Sequence, residues 1–144
     1  MQTDVTALAD SPTRNRAVRI LMGLAAASAI GAAASAIPVV TGAPAPTLMG
    51  ETWRLYGFLT FAGLFALLGW RPLSYPWLWE IVILNKLLLT VTAGGYAAGV
   101  FGPGDVDGAV AALVWDGGLT IALLAAYTAG RGWQAWLGRD EASP

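Results

Sequence analysis

Four apolar runs, each close to the roughly 20 residues that a helix needs to cross hydrocarbon, divide this chain almost from end to end. They extend from about Ala17 to Val40, Leu55 to Trp70, Trp77 to Val100 and Ala109 to Ala129. Turn-forming residues separate them: Thr41-Gly-Ala-Pro-Ala-Pro46, Arg71-Pro-Leu-Ser-Tyr-Pro76 and Gly102-Pro-Gly-Asp105. Only 12% of the 144 residues are charged and mean hydropathy is +0.60, too few charges to wet the outer faces of a soluble helical bundle. The pattern predicts an all-α polytopic membrane protein, a four-transmembrane-helix bundle in one domain covering residues 14–137. Residues 1–13 and 138–144 read as short polar tails lacking fixed structure.

Basic residues orient the spans. Arg14, Arg16, Arg19, Arg71, Arg131 and Arg139 fall on one side, whereas the other side carries Arg54 with Glu51, Asp105 and Asp107. Both termini are therefore expected in the cytoplasm, with the chain multi-pass in a bacterial inner membrane. The excess of arginine over lysine, with abundant alanine and glycine, is the compositional hint of a bacterial source. A competing reading makes the first run a secretory signal, cleaved after Ala34-Ser-Ala36. The run is longer than a usual signal core, and sixteen residues precede it. Trp53 and Trp70 would anchor the second span at the two interfaces. Trp133 and Trp136, with Arg131 and Arg139, would form a short interfacial segment after the fourth.

The chain contains neither cysteine nor histidine, which removes disulfides, thiolate catalysis, His-ligated haem, most zinc sites and imidazole acid–base chemistry. A formal net charge of -1 and the lack of a Lys/Arg stripe argue against nucleic acid as a partner. No nucleophile–base pair, metal set or phosphate loop can be assembled, so no catalytic residue and no cofactor is assigned.

Polar residues within the apolar runs carry what functional signal there is. An ammonium near a bilayer centre costs at least about 2.5–3.5 kcal/mol on insertion scales, so Lys86 should have a partner. Asp116 is the candidate. Lys86 lies nine residues past Trp77, roughly 14 Å along an outgoing helix, and Asp116 seven past Ala109, roughly 10 Å along a returning one. Across about 30 Å of hydrocarbon these depths differ by only about 6 Å, a gap that a lysine stem bridges. On a helical wheel Asp116, Thr120 and Tyr127 fall within about 40° of one another, and Lys86 shares a stripe with Thr90. Asn85, Thr92 and Tyr96 form a second stripe about 100° away, which predicts that the third helix meets two neighbours. Arg54 is an alternative partner for Asp116, Glu80 is expected to meet Arg71 or another cytoplasmic arginine, and Trp115 is expected to line a cavity beside Asp116.

Small residues are expected to mediate helix packing, because lipid supplies no hydrophobic drive for association. Gly23, Ala27, Gly31 and Ser35 recur every fourth residue in the first span. Gly118, Ala122, Ala126 and Gly130 do so in the fourth, and Gly95 and Gly99 flank Tyr-Ala-Ala in the third. Such faces suit intramolecular packing, and a surplus one suits self-association.

Arg19-x-x-x-Gly23 at the start of the first span and Arg54-Leu-Tyr-Gly57 at the start of the second resemble the DoxX-like group of compact four-helix bacterial membrane proteins. The resemblance implies the fold and no active site. The favoured reading is an accessory or interaction subunit in the lipid bilayer, a homo-oligomer or part of a larger membrane complex, with a Lys86–Asp116 pair fixing its bundle. The alternative is a small transporter or channel subunit in which Asp116, Lys86 and Arg54 handle a proton or an anionic solute.

Overall fold

The computed structural model describes residues 12–102 and 106–137. Among them the structure is all-α, with no strand: α1 (Pro12–Gly42), α2 (Ala45–Trp70), α3 (Leu78–Ala97), α4 (Ala109–Gly130) and a single turn, α5 (Gln134–Leu137). Each of α1 to α4 is long and apolar enough to cross a membrane. Ile30, Leu59, Leu84, Leu88 and Ile121 lie more than half or nearly half exposed, an arrangement that suits lipid and not water. The chain is thus a small multi-pass membrane protein. Its contacts define two compact units, one through Pro72 and one from Leu73, each built on two consecutive helices packed against each other.

In the first unit α1 packs on α2. The buried face of α1 runs Val18, Met22, Ala25, Ala29, Ala33 and Ala36, the three-and-four spacing of one helical stripe. Alanine at most of these positions lets the helix axes approach closely. One close approach is at Gly69 of α2, where a Cβ would stand 3.2 Å from Met22 Cβ. The Gly23, Ala27, Gly31, Ser35 ladder points elsewhere: all four residues are exposed, and a Cβ at Gly23 or Gly31 would meet nothing within 4 Å. An alanine stripe two residues away makes the hairpin contact in place of the glycine ladder. Substituting Gly69→Ala is therefore expected to lower stability by about 1 kcal/mol. Gly31→Ala, where the added methyl meets nothing, should instead raise it by about 0.5–1 kcal/mol, the difference between glycine and alanine inside a helix. Thermal unfolding of both variants in one detergent makes the comparison.

α2 begins ten residues before the expected start at Leu55, and the physical reason is proline placement. Pro44 stays extended (φ -66°, ψ 152°) while its carbonyl accepts from the Thr47 and Leu48 amides at 3.0 Å each. Pro46 then sits in the first turn, where its missing N–H costs nothing. The early turns tolerate charge because Arg54 pairs with Glu51 on the same helix. Trp53 and Trp70, both exposed, are seventeen residues apart on α2, roughly 26 Å and close to the hydrocarbon thickness. α1 extends through Pro38 to Gly42, and Ala34-Ser-Ala36 lies within the helix. Helix also takes in Pro12 and Thr13, which the sequence assigns to a tail. The rest of that tail, the segment 138–144 and residues 103–105 of the third turn lie outside the described residues.

In the second unit α3 and α4 form the hairpin. α3 stops at Ala97, before the expected Val100, because the backbone closes a Schellman motif. The Val100 amide donates to Gly95 O at 2.8 Å and the Gly99 amide to Tyr96 O at 3.0 Å, with Gly99 in the left-handed region at φ 69°. Gly99 therefore ends a helix and does not pack one. Gly95 receives the returning Phe101 ring, into which a Cβ would project. α4 ends the same way: Gly132 donates to Tyr127 O at 2.8 Å, and Arg131 takes the left-handed position at φ 51°. Gly118 faces open space, and its neighbour Gly117 is the one that approaches α3, with a would-be Cβ 3.5 Å from Thr90 Cγ2. Ala126 is buried and Ala122 half-buried on α4.

Candidate functional site

Lys86 is the ninth residue of α3, Asp116 the eighth of α4, and the two meet across the hairpin near the middle of both helices. Lys86 Nζ donates to Asp116 Oδ1 at 2.8 Å. Only 7% of the lysine side chain and 15% of the aspartate side chain remain accessible. This is a charge-assisted hydrogen bond in a setting where neither charge could stand alone. The antiparallel course of two helices joined by a short connection brings the pair to a common depth.

Two threonines, each four residues further along its helix, extend the contact. Thr90 Oγ1 donates to Lys86 O at 2.8 Å, and Thr120 Oγ1 donates to Asp116 O at 2.7 Å. The two hydroxyls approach to 3.2 Å. Each hydroxyl has one proton, so that contact is shared with one of the carbonyl bonds. Back-bonding to the i−4 carbonyl satisfies threonine inside a helix without exposing a polar group to lipid. The seam is thus Lys86–Asp116 and Thr90–Thr120, matched pairwise across the α3–α4 interface.

A second polar locus lies at the end of the same hairpin. Glu80 Oε1 accepts from Tyr127 Oη at 2.8 Å and from Trp136 Nε1 at 3.0 Å. Where the sequence predicts an arginine, a phenol and an indole supply the donors, because α4 returns Tyr127 to the level of Glu80 and α5 folds Trp136 against it. Arg71 lies with its guanidinium carbon 5.0 Å from the Trp70 ring centre. Further rings pack on these two donors: Trp79 meets Tyr127 edge-on at 6.0 Å, Tyr127 meets Trp133 at 5.8 Å, and Trp77 touches Trp136. Trp79 is buried, whereas Trp77 and Trp133 are exposed. Between the two loci lie Val82 and Leu123, both fully buried, an apolar plug separating them.

Asn85 and Thr92 are exposed on α3, so the second polar stripe is not a contact of this hairpin. Tyr96 packs edge-on to Phe101 at the end of α3. Arg54 is held by Glu51, on its own helix. Trp115 is 56% exposed and, with Val110, Val114, Ala97 and Asp107, lines a shallow open concavity near the turn between α3 and α4. Adjacent numbering places Trp115 and Asp116 about 100° apart on the helix, which is why one faces outward and the other α3. Among the described residues no group of three acidic side chains converges to hold a metal.

Trp136, Tyr127 and Gly132 carry the second locus and were not candidate site residues in the sequence. Only the wheel position of Tyr127 beside Asp116 pointed to it. Comparison with protein-family models, with curated proteins and with solved structures returns no match.

Proposed function

We propose that the chain is a non-catalytic accessory or interaction subunit of a bacterial inner membrane, in which the Lys86–Asp116 pair holds a helical hairpin in register. The observation that carries this reading is the closure of the pair. Its 2.8 Å bond is intrahairpin, it is flanked by threonines bonded to each other and to their own helices, and the surface concavity is lined by neither charged residue. A buried polar contact of this kind specifies which helix faces meet. The Arg19-x-x-x-Gly23 and Arg54-Leu-Tyr-Gly57 segments are the ground for proposing a DoxX-like relationship, and the positive-inside pattern supports cytoplasmic termini. The exposed Gly23, Ala27 and Gly31 face of α1 supports association with a second copy or a larger complex.

Reconstitution into liposomes loaded with a pH-sensitive dye tests the reading against transport. Proton or anion flux no greater than that of empty liposomes is expected for the wild-type protein and for a Lys86→Met, Asp116→Leu double variant alike. Flux in the wild type that the double variant abolishes would overturn the structural role and establish the carrier reading.

A further inference from the structure

The Glu80 locus has more chemistry than helix anchoring requires. An acidic residue in the first turn of a helix is stabilised by the helix dipole, and that accounts for the carboxylate alone. It does not account for Tyr127 and Trp136 converging on one of its oxygens, nor for Trp133 and Trp77 packed in turn against those two rings. Both hydrogen bonds to the carboxylate fall on Oε1. Neither Arg131 nor any other described residue of this hairpin forms an ion pair with it. The carboxylate is half-buried, and Trp77 and Trp133 present accessible rings against its donors Trp136 and Tyr127. The ring pairs are inclined at 60° to 69° to one another, so each edge-on contact covers one face of one ring and leaves the other faces unstacked.

Backbone strain converges on the same place. Among the described residues only two non-glycine residues take positive φ, Trp77 at 70° and Arg131 at 51°. The first precedes α3 and delivers the Trp77 ring; the second reverses the chain after α4 and delivers Trp133 and Trp136. Strained conformations persist where the surroundings enforce them, and they gather at binding sites.

A carboxylate with indole and phenol rings close by is the chemistry that recognises an alkylated ammonium: the carboxylate supplies charge and the ring quadrupoles supply attraction without hydrogen bonds. We propose that Glu80, with the rings of Trp77, Tyr127, Trp133 and Trp136, forms an interfacial binding site for an alkylammonium cation. Its location at helix ends makes the site reachable by a lipid headgroup and by a soluble cation.

The test uses the full chain. Protein in phosphatidylglycerol vesicles is titrated with choline chloride while tryptophan emission is followed, with sodium chloride as the ionic-strength control. A parallel sample is made in phosphatidylcholine vesicles. A saturable shift on choline addition supports the site with a soluble ligand. A shift present in phosphatidylcholine vesicles, with choline silent, supports it with a headgroup ligand. Glu80→Gln keeps an acceptor for Tyr127 and Trp136 but removes the charge, and is expected to weaken the response about tenfold or more. No change on choline addition together with identical emission in the two vesicles, or a response of equal size in Glu80→Gln, overturns the proposal. If Glu80→Gln loses its helical circular dichroism, Trp136→Phe takes its place. That variant should bind several-fold more weakly, and unaltered binding by it overturns the proposal equally.

Discussion

Asp116→Leu is expected to lower the unfolding free energy by about 3–5 kcal/mol, the penalty for leaving one member of a buried ion pair without the other. The hydrogen bond itself is the smaller part of that loss. The larger part is Lys86, whose ammonium would remain at 7% accessibility with its counter-charge gone. Lys86 is eight residues along α3 from Leu78, roughly 12 Å from the helix end, too deep for its stem to lift the charge to the interface. Thr90 and Thr120 carry hydroxyl oxygens that can accept a hydrogen bond but no charge that replaces the carboxylate. Denaturing-detergent titration of the reconstituted chain measures the effect. A loss below about 1 kcal/mol would place Lys86 in contact with water or with another anion.

Gly132→Ala should cost about 2–3 kcal/mol and red-shift tryptophan emission, as overpacking in a filled site does. The added Cβ would fall within the Tyr127 ring and 3.2 Å from Trp79 Cδ1. Tyr127 cannot swing aside, because its hydroxyl is bonded to Glu80 and its ring is met by Trp79 and Trp133. The backbone cannot yield either, since the Gly132 amide closes the α4 Schellman motif on Tyr127 O. One methyl group thus sets the α4 terminus against the whole aromatic locus. Unchanged melting and unchanged emission would mean that α5 is not docked against the hairpin.

The two loci differ in how far they could be read from the chain. The ion pair was legible because depth in a membrane is arithmetic: residue number times rise, counted from an apolar boundary, brings Lys86 and Asp116 to one level. The face of α4 carrying Asp116, Thr120 and Tyr127 follows from a 100° wheel, and all three side chains reach α3 or its cap. Periodicity does not say which of several small-residue stripes meets a partner. α1 has alanine on nearly every side, so the ladder of Gly23 and Gly31 and the stripe of Ala25, Ala29 and Ala33 compete as equals in the sequence. Packing chose the alanines.

The Glu80 locus was illegible for a different reason. Its donors come from Tyr127 and Trp136, 47 and 56 residues away, and the second is positioned by a left-handed Arg131. Arginine is an uncommon residue in that conformation, and no local propensity announces it. Charge complementarity pointed to an arginine for Glu80, whereas the chain supplies neutral aromatic donors. The start of α2 was missed because polar residues at Glu51 and Arg54 read as loop, although each offsets the other across one helical turn.

The central claim is that Lys86 and Asp116 serve each other. The double variant Lys86→Met, Asp116→Leu, compared with both single variants in one unfolding titration, tests it most directly. Apolar residues of similar length remove both charges together, so the double variant should recover to within about 1 kcal/mol of the wild type, or exceed it. If instead its loss equals the sum of the two single losses, the residues are not coupled and the ion pair does not hold the hairpin.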